Sequence, residues 1–399
     1  MLANRILPRF DFRVDVVSRT EKGPVRELNE DALLVAPALA LFGVADGMGG
    51  LDGGEVASQL ALDASREAFA TKEAQKTLDA YVAAPQLENR RKVLALMRRA
   101  CESAHEAVLA EQDKRGPDVS MGTTLDLCVF VRDRAFFGHV GDGRAFLARP
   151  SATILLTQDH VRHADAAYSS RGPKPLQSAI GVRAPLVVDT FFVELHKGDR
   201  IVLATDGAYT AVPDEAAMTK LCQKAPDVFV NELVDLAIEK GGRDNATVVV
   251  LRVGERFLSR TPTAAPGPTS QREHDFGAIQ QNPLFTDLPA SRVLAALAAG
   301  IELDLNEGAV VRRVEAGDLC AYLVLDGVVK MGTTSLGAPA LLFAESLVGV
   351  AREPASAVVV EHARLVRLRG DDFREVCTHD ATLGAALFER LARHLARTL

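Results

Sequence analysis

The sequence predicts an α+β protein in which stacked antiparallel sheets are covered by pairs of amphipathic helices. Three observations support this fold class: many short β-type runs separated by turn residues, two helical stretches between the early strands, and a length of 399 residues, which suits two or three domains. Apolar residues make up 48% of the chain and charged residues 25%, as in ordinary globular proteins. Sheets and helices of this kind bury their apolar faces in layers.

The predicted strands of the first part of the chain are runs rich in Val, Phe and Leu. Residues 125–132, 135–140 and 144–149 follow one another closely and are predicted to form a meander. Residues 190–195 and 201–204 flank a short polar loop, which predicts a hairpin. The β-branched run ATVVVLRV predicts one more long strand.

Two helices are predicted over residues 54–70 and 87–114, the second because its apolar residues recur at steps of three and four. Residues 254–283 differ in character, with four prolines and little apolar periodicity. We therefore predict a first domain over residues 1–254, a linker over 255–283 and a second domain over 284–399.

Composition also excludes several classes of partner. The net charge is −7, whereas binding to a nucleic-acid backbone needs clustered Lys and Arg. The longest apolar stretch, residues 33–45, is shorter than the roughly 20 residues of a membrane span. The five cysteines are isolated from one another, as is typical of buried thiols in a reducing compartment. The sequence thus predicts a cytoplasmic protein with no nucleic-acid or membrane partner.

Acidic residues occur at the ends of predicted strands in five places, each beside glycine or asparagine. These are Glu30 with Asp31, Asp46, Asp142, Asp206 and Asp244. Strand ends on one rim of a sheet converge, and converging carboxylates raise one another's pKa unless a cation offsets their charge. Mg²⁺ or Mn²⁺ suits such an all-oxygen ligand set.

Two other interpretations remain open for these residues. Asp-Gly is a common turn dipeptide, so each site taken singly fits an ordinary turn. The segment DGMGG also resembles a phosphate cradle, but the dinucleotide fingerprint would need glycine at Asp52, and the sequence has no P-loop motif. The joint pattern favours a metal centre, because five turns need not all carry an acid at the end of an apolar strand.

The motifs G-x-x-R-x-x-N-E-D, VADGMGG, HVGDGRAFL, LTQDH, GDRIVLATDG and GGRDNATVVV occur in this order. Together they resemble the metal-dependent protein phosphatase family, the type 2C serine/threonine phosphatases in their bacterial form, over about residues 14–252. The resemblance implies an antiparallel β-sandwich flanked by helix pairs, with two Mn²⁺ or Mg²⁺ ions, or three, in a cleft at one end. It also implies hydrolysis of phosphoserine and phosphothreonine in proteins by a water or hydroxide that bridges two metals.

The resemblance implies roles for individual residues. Asp46 is expected to bridge the two metals, and the Gly47 carbonyl is expected to contribute an oxygen. Asp206 and Asp244 are expected to hold the first metal. Arg26 matches the phosphate-binding arginine, whose planar fork suits two phosphate oxygens. Arg26, Asp46 and Asp206 are the expected catalytic residues.

The remaining acids have implied roles around the same centre. Glu30 is expected to meet the second metal through water, with Asp31 supporting it. Asp142 matches a position that shares a third, looser metal with Asp206.

The sequence departs from the family pattern at Met48, where animal members have a histidine proposed as general acid, and at Gly143, where the family has serine. The segment 160–178 corresponds to the substrate-facing flap. A catalytically silent scaffold is the alternative to the enzyme, and the retained carboxylates favour the enzyme.

The second domain resembles a cyclic-nucleotide-binding β-roll with flanking helices. A helix is predicted over residues 288–299, strands over 309–314, 321–325 and 328–331, and closing helices over 371–377 and 381–399. The dipeptide Asp326-Gly327 predicts a type I′ hairpin between two of these strands.

The ligand residues of that resemblance are incomplete here. Glu345 is retained, but Ala344 replaces glycine, Ala355 replaces the phosphate-binding arginine, and Arg352 lies three residues early. A regulatory fold without a cyclic nucleotide is therefore favoured over a cyclic-nucleotide sensor, for which Glu345 and Arg352 would be the ligand residues. The leucines of the last helix lie four residues apart and drift around it, so packing on the β-roll is favoured over a homodimer through this helix.

Overall fold

The computed structural model describes residues 2–49, 53–149, 152–161, 176–257, 279–297, 300–315, 317–352, 356–379 and 381–398. The chain divides into two compact units, Met1–Ser259 and Arg260–Leu399. The last strand of the first unit runs to Arg256, and Ile279 belongs to the apolar core of the second unit. Most of the predicted linker lies outside the described residues, so its bounds stay a prediction.

One antiparallel sheet of the first unit joins strands from both ends of that unit. In spatial order it contains β1 (Leu2–Ile6), β2 (Phe12–Glu21), β12 (Ala246–Arg256), β11 (Arg200–Ala204), β8 (Arg144–Ala148) and β9 (Thr153–Leu155). The predicted run ATVVVLRV lies within β12, which pairs with β2 over most of its length. The long paired strands β2 and β12 lie next to each other inside the sheet.

The second antiparallel sheet comes from the middle of the unit. In spatial order it contains β10 (Asp189–Glu194), β7 (Arg134–Val140), β6 (Leu125–Val131), β4 (Leu41–Gly49) and β3 (Asp31–Ala36), and β5 (Met121–Thr123) pairs with the end of β4. Strands β3 and β4 contact β12 of the first sheet, so the two sheets face each other. Every residue of β6 is buried, because the other sheet covers one face and helices cover the opposite face.

Helices cover the outer faces of both sheets. The second sheet packs against α1 (Gly53–Ala70), α2 (Lys72–Ala83) and α3 (Leu87–Arg115), and the first against α4 (Asp206–Tyr209), α5 (Glu215–Cys222) and α6 (Pro226–Glu239). The two helices predicted for this unit are confirmed to within one residue at each end. Helices α2, α4, α5 and α6 were not predicted from the sequence. The prediction of stacked antiparallel sheets covered by helices is confirmed for this unit.

Two predicted strand pairings are wrong. In the predicted meander, β7 and β8 are consecutive, but they lie in different sheets. The predicted hairpin of β10 and β11 is also split between the two sheets. The turn residues mark where the chain reverses, but strands that are buried on both faces do not indicate which sheet they join.

The second unit also contains two antiparallel sheets. One consists of β13 (Ile301–Leu305), β21 (Ala363–Arg369), β16 (Asp318–Asp326) and β15 (Val314–Glu315), with β19 (Leu341–Leu342) beside β16. The other consists of β14 (Val310–Arg312), β20 (Ser356–Val359), β17 (Val328–Met331) and β18 (Thr334–Gly337). The described helices are α7 (Ala290–Leu297), α8 (Gly370–His379) and α9 (Ala381–Thr398).

The turn at Gly327 corrects another pairing. β16 and β17 follow each other through Asp326-Gly327, but they lie in different sheets, so the predicted hairpin is wrong. Gly327 has a φ of +81°, and a side chain there would place its Cβ 2.1 Å from the carbonyl oxygen of His362. Glycine is therefore needed for a close approach between strands, and not for a type I′ turn.

The C-terminal helix packs within its own unit, as favoured from the sequence. Leu383, Leu387 and Leu391 are buried in the core that the closing helices share with β16 and β21. Leu399 lies outside the described residues. Because this leucine face is already covered, we propose no dimer through it.

The cysteines and the polarity of the helices were also predicted from the sequence. All five cysteines are buried and none forms a disulfide, as predicted for isolated thiols. In the part of the chain that the structure describes, every helix is too short or too polar to cross a lipid bilayer.

Candidate metal centre

Four of the predicted acids meet at one end of the β-sandwich. Asp31 opens β3 and lies directly opposite Asp46 in β4. In the other sheet the end of β11 pairs with the start of β12, and Asp206 and Asp244, which flank these ends, interact electrostatically. Each sheet therefore supplies two of the four carboxylates.

Burial and mutual repulsion perturb this group of carboxylates. Burial raises the pKa of Asp46 well above its usual range, and the charges of Asp31, Asp206 and Asp244 raise it further. Burial also raises the pKa of Asp206, with the charge of Asp244 as the next cause. Asp46 and Asp206 perturb each other's pKa, and a proton held by one of them would relieve the repulsion between their charges. A divalent cation is the other way to stabilise carboxylates at such close range.

Asp31 is held by hydroxyl groups. The Oγ1 atom of Thr205 donates to Oδ2 of Asp31 at 2.8 Å. Burial raises the pKa of Asp31 to about 7, while hydrogen bonds from Thr247 and Thr205 act in the opposite direction. Its other carboxylate oxygen is buried without a hydrogen-bond partner, and so is Oδ1 of Asp206. These two oxygens have unused acceptor capacity inside the site.

Arg26 lies at the mouth of the carboxylate group. Its Nη2 is 2.7 Å from Oδ1 of Asp244, and its Nη1 is 3.8 Å from Oε2 of Glu30. Its Nε donates to the carbonyl oxygen of Arg243 at 3.2 Å. The side chain is 44% exposed, so the guanidinium has an open side while it contacts the acids.

Glu30 and Gly47 are packed tightly against the first turn of α1. The amide of Gly47 donates to the carbonyl oxygen of Glu30 at 3.1 Å. A side chain at Gly47 would place its Cβ 2.1 Å from the carbonyl oxygen of Gly54, and one at Gly54 would place its Cβ 2.2 Å from Oε1 of Glu30. Positions 47 and 54 therefore need glycine, because the backbone of Gly47 packs against that of Gly54 and the backbone of Gly54 packs against the carboxylate of Glu30.

The donors at this site fit a hard divalent cation. All are oxygens, two of them are buried without partners, and the glycines leave room for backbone and carboxylate oxygens to converge. Within the described residues, no three His, Cys, Asp or Glu side chains are already arranged as a ligand set for one ion. The carboxylates instead engage Arg26, Thr205 and one another.

The family model of Protein phosphatase 2C matches residues 25–232, which is more than half of the chain and contains most of these residues. The chain belongs to the protein phosphatase 2C family. The Serine/threonine protein phosphatase PstP of Mycobacterium tuberculosis is 30% identical over 264 residues, covering 63% of this chain and 48% of PstP. The chain thus spans about half the length of that relative.

Other relatives are matched over nearly their whole length. The Serine/threonine phosphatase stp of Listeria innocua is 31% identical over 256 residues, covering 58% of this chain and 93% of stp. The structure of PppA from Pseudomonas aeruginosa is similar with a TM-score of 0.50 and 28% identity, covering 60% of this chain and 97% of PppA. The structure of the M. tuberculosis phosphatase PstP/Ppp is similar with a TM-score of 0.50 and 26% identity, covering 61% and 99%.

Asp142, the fifth predicted site of this phosphatase 2C domain, lies in the turn between β7 and β8. Burial raises its pKa to about 6, and the charges of Asp206 and Asp159 raise it too. Its carbonyl oxygen accepts a hydrogen bond from the Tyr209 hydroxyl at 2.9 Å. Arg144 stacks over the ring of Tyr209 at 4.1 Å and pairs with both oxygens of Asp159. The turn is thus fixed by side chains from both of its flanks.

Sequence reasoning missed a buried ion pair behind this turn. Nδ1 of His139 is 2.7 Å from Oδ1 of Asp126, and Nε2 is 2.9 Å from the carbonyl oxygen of Gln158. Both side chains are almost completely buried. His160, which stacks near His139, accepts the amide proton of Gly141 at 3.2 Å. The available signal was Asp126 itself, an acid within the apolar run LDLCVFV.

The same pair explains one departure from the family pattern. A side chain at Gly143 would place its Cβ 2.0 Å from Oδ2 of Asp126. Asp126 therefore occupies the space that a serine at position 143 would need. Glycine at position 143 thus leaves room for the carboxylate of Asp126.

In the second unit, the possible cyclic-nucleotide ligand residues are Glu345 and Arg352. Oε1 of Glu345 accepts a hydrogen bond from Nη2 of Arg313 at 2.7 Å, and Arg313 is only 4% exposed. The Arg313 guanidinium also lies over the ring of Phe343. Arg352 is exposed, and residues 353–355, which include Ala355, lie outside the described residues. The flap residues 162–175 of the first unit also lie outside them.

Proposed function

We propose that the first unit is a Mn²⁺- or Mg²⁺-dependent phosphatase that hydrolyses phosphoserine and phosphothreonine in proteins. The observation that carries this proposal is the group of four carboxylates from two facing sheets, of which Asp31 is buried and Asp244 is 35% exposed, with the half-exposed Arg26 at its mouth. Membership of the protein phosphatase 2C family supports it. So do the names of the relatives, which are serine/threonine phosphatases.

The carboxylates would hold the cations. In this proposal Asp46 would contact both ions, the Gly47 carbonyl would add an oxygen, and Asp206 and Asp244 would hold the first ion. The buried oxygen of Asp206 that has no hydrogen-bond partner supports its part in this set.

Glu30 serves the second ion in this proposal, and Asp31 supports that side of the centre. Asp142 would share a third ion with Asp206, since the charge of Asp206 already raises the pKa of Asp142. The side chain of Tyr209 holds the backbone of Asp142 in place.

Arg26 would bind the phosphoryl group of the substrate. Its fork now contacts Asp244 and Glu30, and it presents donors that match phosphoryl oxygens. When bound, the cations supply the positive charge that activates water for attack at phosphorus and that stabilises the transition state. Arg26 adds to this charge from the protein side and orients the phosphoryl group.

The second unit is proposed as a β-roll regulatory or docking domain without a cyclic nucleotide. Its two antiparallel sheets and closing helices support the β-roll. The carboxylate of Glu345 already accepts a hydrogen bond from Arg313 through Oε1, and Ala355 offers no cation for a cyclic phosphate. Calorimetric titration of the full chain with cyclic AMP and cyclic GMP should give no binding heat, and saturable heat with either nucleotide would refute this part.

The phosphatase proposal is tested with p-nitrophenyl phosphate and the full chain. We expect turnover with Mn²⁺ that EDTA abolishes, and loss of at least about 100-fold in Asp206→Asn, because that change removes one of the charges that hold the ions. Asp118→Asn is the matched control, since Asp118 is exposed and lies outside the site. Absence of any EDTA-sensitive turnover would support the silent scaffold, and an Asp206→Asn variant as active as the control would refute the proposed metal centre.

A further inference from the structure

A cavity of about 400 Å³ opens beside the carboxylate group of the first unit. Asp206 and Asp244 are among the residues that line it. Lys240, at the end of α6, and Arg243, in the turn that leads into β12, also line the cavity. The cavity therefore joins the proposed metal centre to a pair of cationic side chains that the mechanism does not use.

The two cations are available to a ligand. Both Lys240 and Arg243 are exposed. The Nζ atom of Lys240 donates one hydrogen bond, to the carbonyl oxygen of Ala211 at 2.8 Å, and an ammonium has three protons to donate. The Arg243 guanidinium has no hydrogen-bond or carboxylate partner among the residues that the structure describes.

A tight backbone turn at Gly241 and Gly242 fixes the positions of Lys240 and Arg243. Gly241 and Gly242 have φ values of +119° and +49°, and their amides donate to the carbonyl oxygens of Ile238 and Ala237 at 3.0 and 3.1 Å. This closes the end of α6 in a tight turn. Lys240 and Arg243 therefore flank a turn of defined geometry, and not a long loop.

The turn is also tied to the proposed phosphate-binding residue. The carbonyl oxygen of Arg243 accepts a hydrogen bond from Nε of Arg26 at 3.2 Å. Arg26 is thus one hydrogen bond away from the backbone of Arg243, which lines the cavity. Since an extended peptide advances about 3.3 Å or slightly more per residue, side chains a few positions from the phosphorylated residue can enter it.

We propose that this cavity, the Lys240–Arg243 pocket, is a substrate subsite for an anionic side chain that flanks the phosphorylated residue. The proposal rests on the phosphatase function proposed above and names its substrate class, acidic phosphopeptides. The two cations favour a carboxylate or a second phosphate there by direct charge-assisted hydrogen bonds. Neutral and basic side chains lack this stabilisation.

The test uses the full chain with Mn²⁺ and a phosphothreonine peptide that carries Glu, Gln, Lys or phosphoserine two or three positions from the phosphothreonine. We expect kcat/KM for the Glu peptide to exceed that for the Gln peptide by roughly fivefold, because exposed ion pairs are individually weak. The Lys peptide should be poorest. The phosphoserine arm distinguishes a second phosphate from a carboxylate as the preferred anion.

Two double variants test whether the preference for Glu over Gln peptides depends on the Lys240–Arg243 pocket. In the double variant Lys240→Ala/Arg243→Ala the Glu-to-Gln ratio should fall to about one. The matched control Lys220→Ala/Arg5→Ala removes two exposed cations that do not line the pocket and should keep the ratio of the parent. A parent ratio near one, or a ratio that persists in the Lys240→Ala/Arg243→Ala variant, would overturn the subsite.

The two proposals fail in different ways. Absence of Mn²⁺-dependent turnover of p-nitrophenyl phosphate would refute the phosphatase function alone. Peptide binding measured by fluorescence anisotropy would then still report the Glu-to-Gln preference and its dependence on Lys240 and Arg243. Normal turnover of p-nitrophenyl phosphate together with equal use of all peptides would refute only the subsite.

Discussion

Replacing Asp126 by Asn is expected to remove a pH dependence from the stability of the first unit. Asp126 in β6 and His139 in β7 lie directly opposite each other, with 2% and 0% of their side chains exposed. Asn keeps the shape of the side chain but loses the charge. The variant therefore isolates the ion pair from the packing around it.

The magnitude follows from the pKa of His139. Burial lowers this pKa, but the charge and hydrogen bond of Asp126, with the charge of Asp189 next, outweigh burial and raise it from 6.5 to about 9. A raised folded-state pKa gives stability that is complete below about pH 6.5 and is lost as the pH rises through about 9. At about 1.4 kcal/mol per pH unit, this amounts to roughly 3 kcal/mol.

Amide hydrogen exchange on peptides covering β6 and β7 measures this in the full chain, after correction for the intrinsic pH dependence of exchange. Between pH 6 and pH 9.5, the free energy of opening should fall by roughly 3 kcal/mol more in the parent than in Asp126→Asn. His139→Gln should lose the same pH dependence, and the exposed Asp118→Asn should keep it. Parallel curves for the parent and both buried variants would refute the reasoning.

Three further predictions follow from single contacts. Gly47→Ala should lower Mn²⁺-dependent turnover by about 100-fold with an unchanged circular dichroism spectrum, because its Cβ would collide with the first turn of α1 and displace the site by a fraction of an ångström. Tyr209→Phe should destabilise the first unit by about 1 kcal/mol in urea unfolding, since the carbonyl oxygen of Asp142 loses its hydrogen bond. Arg313→Met should lower the calorimetric unfolding temperature of the second unit, at a cost of about 3 kcal/mol, because Glu345 is left as a largely buried carboxylate without its partner.

Local patterns were enough to predict helices α1 and α3 and the ends of several strands. Helices α1 and α3 repeat apolar residues at helical spacing along one face, and that face packs on the second sheet. Asp206 follows β11 after one residue, as expected from the sequence. The predicted end of the strand before Asp46 is wrong, because β4 continues through Asp46 to Gly49, where it pairs with β5. The proximity of Asp46 and Asp206 in space is a property of the stacked sheets, which the sequence alone indicated only through the joint pattern.

The missed ion pair had a signal in the register of one hairpin. A two-residue turn at Arg132 and Asp133 joins β6 to β7, and this places Val131 opposite Arg134 and Asp126 opposite His139. Counting back from the turn would have paired the acid with the histidine. What could not be predicted is the burial of the pair, which depends on the sheet and segment that cover it.

The wrong strand pairings bear directly on the proposed site. A hairpin keeps both strands in one sheet, whereas the turn after β7 carries the chain from the second sheet to the first. Asp142 lies in this crossing, and a buried carboxylate, a histidine and a tyrosine hydroxyl contact its two glycine neighbours and its carbonyl oxygen. A chain segment that passes from one sheet to the other must do so at an end of the sandwich. At this end Asp31 lies opposite Asp46 in one sheet, and Asp206 lies near Asp244 beside the other. The same two-sheet arrangement that defeats local strand prediction therefore assembles the acids, and a change that shifts one sheet against the other should disturb the site before it unfolds either sheet.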